Sequence, residues 1–115
     1  MTSRAKGARG ERKARDLFRD AGFTARRGQQ FSGGPDSPDV IVEELHNHLH
    51  IEVKHGKSLR IWEAIDQAKR DCGEKDWVVL LLRDYWEEMA LVPAKRYIDM
   101  ERRLLHIDNK QSCES

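Results

Sequence analysis

The 115-residue chain predicts an α/β (α+β) fold, a mixed central β-sheet flanked by helices. Two strand patterns carry that expectation. HLHIEVK alternates polar and apolar residues, as a strand with one apolar face does. WVVLLL is a continuous apolar run of the kind that fills the middle of a sheet. Segments with helical apolar spacing precede, separate and follow these strands.

The elements follow in order. Residues 1–9 are small and basic and read as a flexible arm. From Gly10, the spacing of Ala14, Leu17, Phe18 and Ala21 predicts a helix that Gly22 stops. Phe23 to Arg27 reads as a short strand, and GQQFSGGPDSP as a loop built from turn formers. DVIVE, Asp39 to Glu43, is a strand. ELHN makes a turn, and His48 to Lys54 returns as the second arm of an antiparallel hairpin. HGKS breaks the chain, with Ser58 as the N-cap of a helix over Leu59 to Cys72. Its expected core stripe is Leu59, Trp62, Ile65 and Ala68. WVVLLL, a turn over Asp84 to Glu87, a neighbouring MALV strand and a helix over Lys95 to Leu105 complete the domain. The expected division is therefore arm 1–9, one domain 10–105 and a frayed tail 106–115.

Charge is unevenly placed. Residues 1–30 hold nine Lys or Arg against three acids, while residues 31–115 hold twelve against seventeen. The net charge of +1 conceals a basic N-terminal surface suited to a phosphate backbone. Arg4, Lys6, Arg9, Arg12, Lys13, Arg26 and Arg27 are its candidate DNA contacts, with Lys57 beyond the second hairpin strand. The longest apolar run, Trp77 to Leu82, is six residues, far short of a membrane span. No apolar stretch near the N-terminus suggests a signal peptide. Cys72 and Cys113 form neither a disulfide framework nor a zinc motif, so a cytoplasmic protein is expected, in the host cytoplasm for a viral chain.

The chemistry concentrates in the hairpin. On a two-residue period His48, His50, Glu52 and Lys54 share one face, while Leu49, Ile51 and Val53 share the other. Antiparallel pairing brings Asp39, at the start of one strand, beside Glu52 and Lys54 at the end of its partner. Hard carboxylate oxygens bind Mg²⁺, which lowers the pKa of water and stabilises charge on a phosphate. An adjacent lysine can orient the attacking water or neutralise developing charge. The competing reading is a cross-strand salt bridge.

Pro38-Asp39, twelve residues, then Glu52-Val53-Lys54 resembles the PD-(D/E)xK nuclease superfamily, whose αβββαβ core is restriction-endonuclease-like. GARGERKARDLFRDAGF is similar to the first helix of archaeal-type Holliday junction resolvases, cellular or phage-encoded, and the resemblance makes Glu11 an additional metal ligand. RRGQQFSGGPDSPDV resembles the family segment that would place Arg26 or Arg27 on phosphate and Ser32 at the rim of the site. IWEAIDQAKRD resembles its following helix, with Gln67 facing the catalytic centre. The similarity spans roughly residues 7 to 92. The loop acid Asp36, a competitor for the metal, and the short stretch after Lys54 depart from the pattern.

Other motifs were weighed against this one. Three adjacent letters H-N-H cannot reproduce a ββα-metal nuclease, and the following helix lacks a histidine. His48 and His50 share a strand face and could bind zinc, yet no cysteine is near; as with His46, an exposed hairpin face is the simpler reading, although His50, nearest Glu52, could touch a substrate phosphate. Trp62 and Trp77 are expected in the core. Trp86, beside Tyr85, is expected exposed, as a dimer or DNA contact.

The resemblance implies a Mg²⁺-dependent (Mn²⁺ as substitute), structure-selective DNA endonuclease that resolves four-way junctions as a homodimer, leaving 5′-phosphate and 3′-hydroxyl ends. Asp39, Glu52 and Glu11 would hold the metal, Lys54 would act on water, and Gln67 and Ser32 would support them. The alternatives are another PD-(D/E)xK repair or restriction-type nuclease, or a catalytically silent DNA-binding module of the same fold.

Overall fold

The computed structural model describes the backbone of residues 3–28 and 38–114, and the side chains of 7–28 and 38–108. Its elements are α1 (Ser3–Asp20), β1 (Ala25–Arg27), β2 (Val40–Val42), β3 (Leu49–His55), α2 (Ile61–Asp71), β4 (Asp76–Leu82), β5 (Met89–Leu91) and α3 (Ala94–Glu114). The fold is the mixed α/β type expected. β3 runs parallel to β4, from Leu49 opposite Asp76 to His55 opposite Leu82, and α2 makes the crossover that a parallel pair requires. β5 pairs antiparallel with the other edge of β4, with Val79 opposite Leu91.

The expected hairpin takes a different form. β2 forms its ladder with β1, with Ala25 opposite Val42 and Arg27 opposite Val40. Residues 43–48 coil between β2 and β3, and the amides of His48 and Leu49 both donate to the Leu45 carbonyl. Such a coiled connection cannot serve as a tight hairpin turn. Among the described residues the backbone bonding of β2 to β3 is therefore confined to its start, where the Asp39 amide donates to the Ile51 carbonyl at 3.0 Å. His48 falls in the turn and is exposed.

Three helix boundaries also differ from expectation. α1 begins at Ser3 rather than Gly10, and α3 continues through Glu114 where a frayed tail was expected. Both extensions are mostly polar, with Ile107 the one large apolar residue in the second, so apolar periodicity registers them poorly. α2 starts after Arg60, which has no side-chain cap, so Ser58 is not the N-cap. The buried residues of α2 are Ala64 and Ala68, packed on Val79 with Trp77, Leu81 and Leu91 around them. Trp62 is 78% exposed, contrary to its expected core place. Small residues let the helix approach the sheet closely, and the bulky indole is left on the rim.

The larger core joins α1 to the sheet. Ala14, Val40, Val42, Ile51, Val53, Val78 and Leu82 are buried there, with Leu17, Phe18 and Phe23 against them. β3 is thus covered on its apolar face by α1, while α2 also packs on it. Two glycines set the spacing. A Cβ on Gly28 would lie 1.9 Å from the Pro38 carbonyl oxygen, so only glycine lets β1 pass the chain that enters β2. A Cβ on Gly10 would lie 2.7 Å from the Cβ of His55, which locks α1 against β3.

Gly10→Ala sets this clash against better helix propensity. Overpacking costs about 1–3 kcal/mol and the propensity gain is about 1 kcal/mol. The expected net result is destabilisation of about 1 kcal/mol, measured as a lower urea midpoint at unchanged m-value.

Candidate active site

Asp39 precedes β2 and reaches across β3. Its amide holds the Ile51 carbonyl, and its Oδ2 accepts the Val53 amide at 2.8 Å. These two bonds bracket Glu52, so the Asp39 and Glu52 carboxylates are brought together by backbone geometry. Glu52 is 1% exposed, and its Oε1 lies 2.7 Å from His50 Nε2. His50 is buried as well, at 2%.

The polar face of β3 is therefore not the outward face expected of the histidines. It lies on a strand covered from both sides, and polar alternation there marks a buried polar row. α2 supplies the opposing groups, one turn apart. Lys54 Nζ donates to Gln67 Oε1 at 3.0 Å. Asp71, four residues on, joins His50 and Glu52 in a group whose potential ligand atoms all lie within 4.8 Å of one another. Among the described residues that group, rather than Asp39, Glu52 and Glu11, meets this close-packing measure.

Glu11, on α1, is buried, and its Oε1 accepts from Nε and Nη2 of Arg27, each at 3.3 Å. Burial raises its pKa, opposed by the Arg27 charge, and the Glu52 charge adds a small upward push. Asp39 is displaced further, up to about 8, chiefly by burial and then by the adjacent Glu52 charge; the Val53 amide opposes the shift. Two carboxylates with little water and one another's charge cannot both ionise cheaply. A cation between them removes that cost.

Of the expected site, the structure brings Asp39, Glu52 and Glu11 within electrostatic reach of one another and pairs Lys54 with Gln67. Ser32 and the competing Asp36 lie outside the described residues, as do the side chains of Arg4 and Lys6. Arg12 and Lys57 are exposed. The other expected DNA contacts hold acids within the chain: Arg9 bonds Asp84, Lys13 lies 3.7 Å from Glu88, Arg26 lies 3.3 Å from Glu43, and Arg27 holds Glu11. Asp84 also bonds His55 at 3.0 Å, and these contacts, Arg9 foremost, hold its carboxyl well below the usual range.

The family model described as archaeal Holliday junction resolvase (Hjc) matches residues 2–70. The chain belongs to that family. It is an endonuclease of the Holliday junction resolvase type. A search of curated proteins finds no match. Among solved structures, a Holliday junction resolvase, Hjc, from the archaeal hyperthermophile Archaeoglobus fulgidus is similar. It is 24% identical with a TM-score of 0.54, covering 76% of this chain and 72% of that one. That likeness shows a shared fold.

Glu11, Asp39, Glu52, Lys54 and Gln67 of this resolvase all fall inside the family-matched segment, whereas Asp71 lies one residue past it. His50 and Asp71 were missed in the sequence as partners of Glu52. A signal existed for each: His50 is two residues before Glu52 on a strand, and Asp71 follows Gln67 by one helical turn.

The Asp39 shift fixes the sign of a pH effect. Between its ordinary pKa of 3.8 and the folded value of about 8, the folded chain binds a proton that the unfolded chain releases. Stability from this group therefore falls as pH rises through that window. Asp39→Asn keeps an acceptor for the Val53 amide and removes the charge. In EDTA the variant should melt higher than the wild-type resolvase at pH 8, and the difference should vanish at pH 4. Equal melting temperatures at both pH values would contradict the assigned repulsion.

Proposed function

We propose that this resolvase cuts four-way DNA junctions in a Mg²⁺-dependent reaction, with Mn²⁺ as a substitute. The observation that carries the reading is the pairing of half-buried Asp39 with fully buried Glu52. Their hard oxygen donors, crowded enough to raise Asp39 to about 8, suit a divalent cation. Asp39 and Glu52 would hold it, with Glu11 as a further carboxylate whose place is steadied by Arg27. When bound, Mg²⁺ supplies Lewis-acid neutralisation at the scissile phosphate.

The chain's own groups do the rest. Lys54, tethered by Gln67, places a positive charge beside the carboxylate pair, where it orients water or offsets the charge of the pentacovalent phosphorus. The Asp39–Val53 bond keeps one carboxylate oxygen occupied and fixes the direction of the other. Burial of Glu52 excludes bulk water and strengthens each of these interactions. Arg4, Lys6, Arg9, Arg12, Lys13, Arg26 and Lys57 contact the phosphate backbone, with Ser32 at the rim, while Arg27 stays on Glu11. Hydrolysis leaves 5′-phosphate and 3′-hydroxyl ends.

Two symmetric cuts in one four-way junction call for two identical sites in fixed relation, which a two-fold homodimer provides. A cytoplasmic location accords with this substrate, and no helix among the described residues is long and apolar enough to cross a membrane.

The test is cleavage of a labelled four-way junction beside a linear duplex of the same arms. Wild type should nick the junction only with Mg²⁺ or Mn²⁺, and far faster than the duplex. Glu52→Gln and Lys54→Ala should each lower the rate by about 10² or more, with junction binding retained in gel shifts. Equal cleavage of duplex and junction would replace the resolving role with general nuclease activity, and metal-independent cleavage would remove the cation.

A further inference from the structure

α3 is built differently from the rest of the chain. It runs for 21 residues, and every residue from Glu101 to Asp108 is exposed. Yet Tyr97, Ile98, Met100, Leu104, Leu105 and Ile107 are each between 44% and 62% exposed. A helix with this much apolar surface in water lacks the packing that normally stabilises helices. The segment also lies wholly outside residues 2–70, the stretch the family model matches, so its purpose has to be read from its own residues.

The spacing of the apolar residues is informative. Tyr97, Met100, Leu104 and Ile107 follow one another at intervals of three, four and three, the a-d-a-d rhythm of a helix pair. In that frame the seam is flanked on one side by Arg96 and Arg103, the g positions. Glu101 and Asp108 flank it on the other, at the e positions. A parallel pair sets each g residue against the e residue five further along the partner helix. This matches Arg96 with Glu101 and Arg103 with Asp108, twice over by symmetry. An antiparallel pair would set arginine against arginine and acid against acid. The charges therefore select one orientation and one occupant, an identical helix.

We infer that α3 is the dimerisation arm of this resolvase, pairing in parallel with α3 of a second copy along Tyr97, Met100, Leu104 and Ile107. Arg96 and Arg103 now sit with Asp76 and Asp99 of their own chain. The Arg103–Asp99 pair is exposed on both sides, and such pairs are weak and exchange readily, whereas Arg96 is the more covered of the two and is held closer to its acid. Two heptads make a short seam, but each helix is already formed where it leaves the folded body at Ala94. Pairing is thus spared the cost of helix nucleation.

This inference names the surface of the homodimer proposed above, and the test separates the two. Full-length wild type, examined by light scattering and sedimentation equilibrium at tens of micromolar, should have twice the monomer mass of 13.4 kDa. Leu104→Glu should weaken association about 30-fold or more, with the mean-residue ellipticity of the body preserved. Arg103→Glu should weaken it about fivefold, and adding Asp108→Arg to the same chain should restore it. A monomeric wild type overturns both the arm and the dimer. A Leu104→Glu variant that still dimerises overturns the arm alone. Failure of the charge-reversed double variant to recover overturns the parallel register, and it does so even where Leu104→Glu fails to fold.

Discussion

Asp39 is fastened to β3 at two points, through its amide to the Ile51 carbonyl and through its carboxylate to the Val53 amide. Much else follows from that fastening. It closes β2 onto β3 without a continuous ladder, and it fixes the Asp39 carboxylate beside Glu52. It also requires the preceding chain to pass close to β1, which Gly28 permits. A carboxylate that accepts a strand amide behaves as a piece of backbone. Its position is then set with the precision of the sheet rather than the freedom of a surface side chain.

That precision works against charge. Burial and proximity to Glu52 raise Asp39 to about 8, and burial raises Glu11 in spite of Arg27. The chain sets His50 against Glu52 and Arg27 against Glu11, while Asp71 adds a further acid near Glu52. His50 lies two residues from Glu52 on the same strand, and Asp71 one turn from Gln67 on α2. Polar groups this deeply placed are tolerated when each has a partner, and no buried side-chain nitrogen or oxygen among the described residues lacks one. The resulting site is rigid and carries repulsion that ligand binding can relieve.

Much of this was legible in the sequence, and the reasons are specific. Alternation in HLHIEVK placed Glu52 and Lys54 on one face, and Asp39 could be set beside them by strand pairing. Asp39 does lie beside Glu52, although the pairing responsible involves one backbone bond and a side chain rather than a hairpin ladder. The burial of His50 was not legible, because alternation distinguishes two faces without saying that a helix covers both. Trp62 misled for a related reason. Hydrophobicity ranks residues by the gain from burial, whereas α2 had to approach the sheet closely, and Ala64 and Ala68 fit where an indole does not. The extent of α1 and α3 was poorly registered by apolar periodicity in their mostly polar end turns.

The basic surface deserves a different weighting from the one its charge count suggests. Arg9, Lys13, Arg26 and Arg27 each face an acid of their own chain, so phosphate contact by these residues is an exchange of partners rather than a simple gain. The Coulombic advantage of each contact is correspondingly reduced, and so is indiscriminate attraction to any polyanion. Arg27 is the extreme case, because giving up Glu11 would take the guanidinium away from a buried carboxylate. It therefore serves the site better by staying where it is. On the proposed reading, a backbone engaged at Arg12, Lys57 and the exchangeable pairs must compensate for what it displaces, and a bent or branched backbone reaches more of them at once than a straight duplex does. Shape selectivity then arises from the chain's own ion pairs, before any base is read.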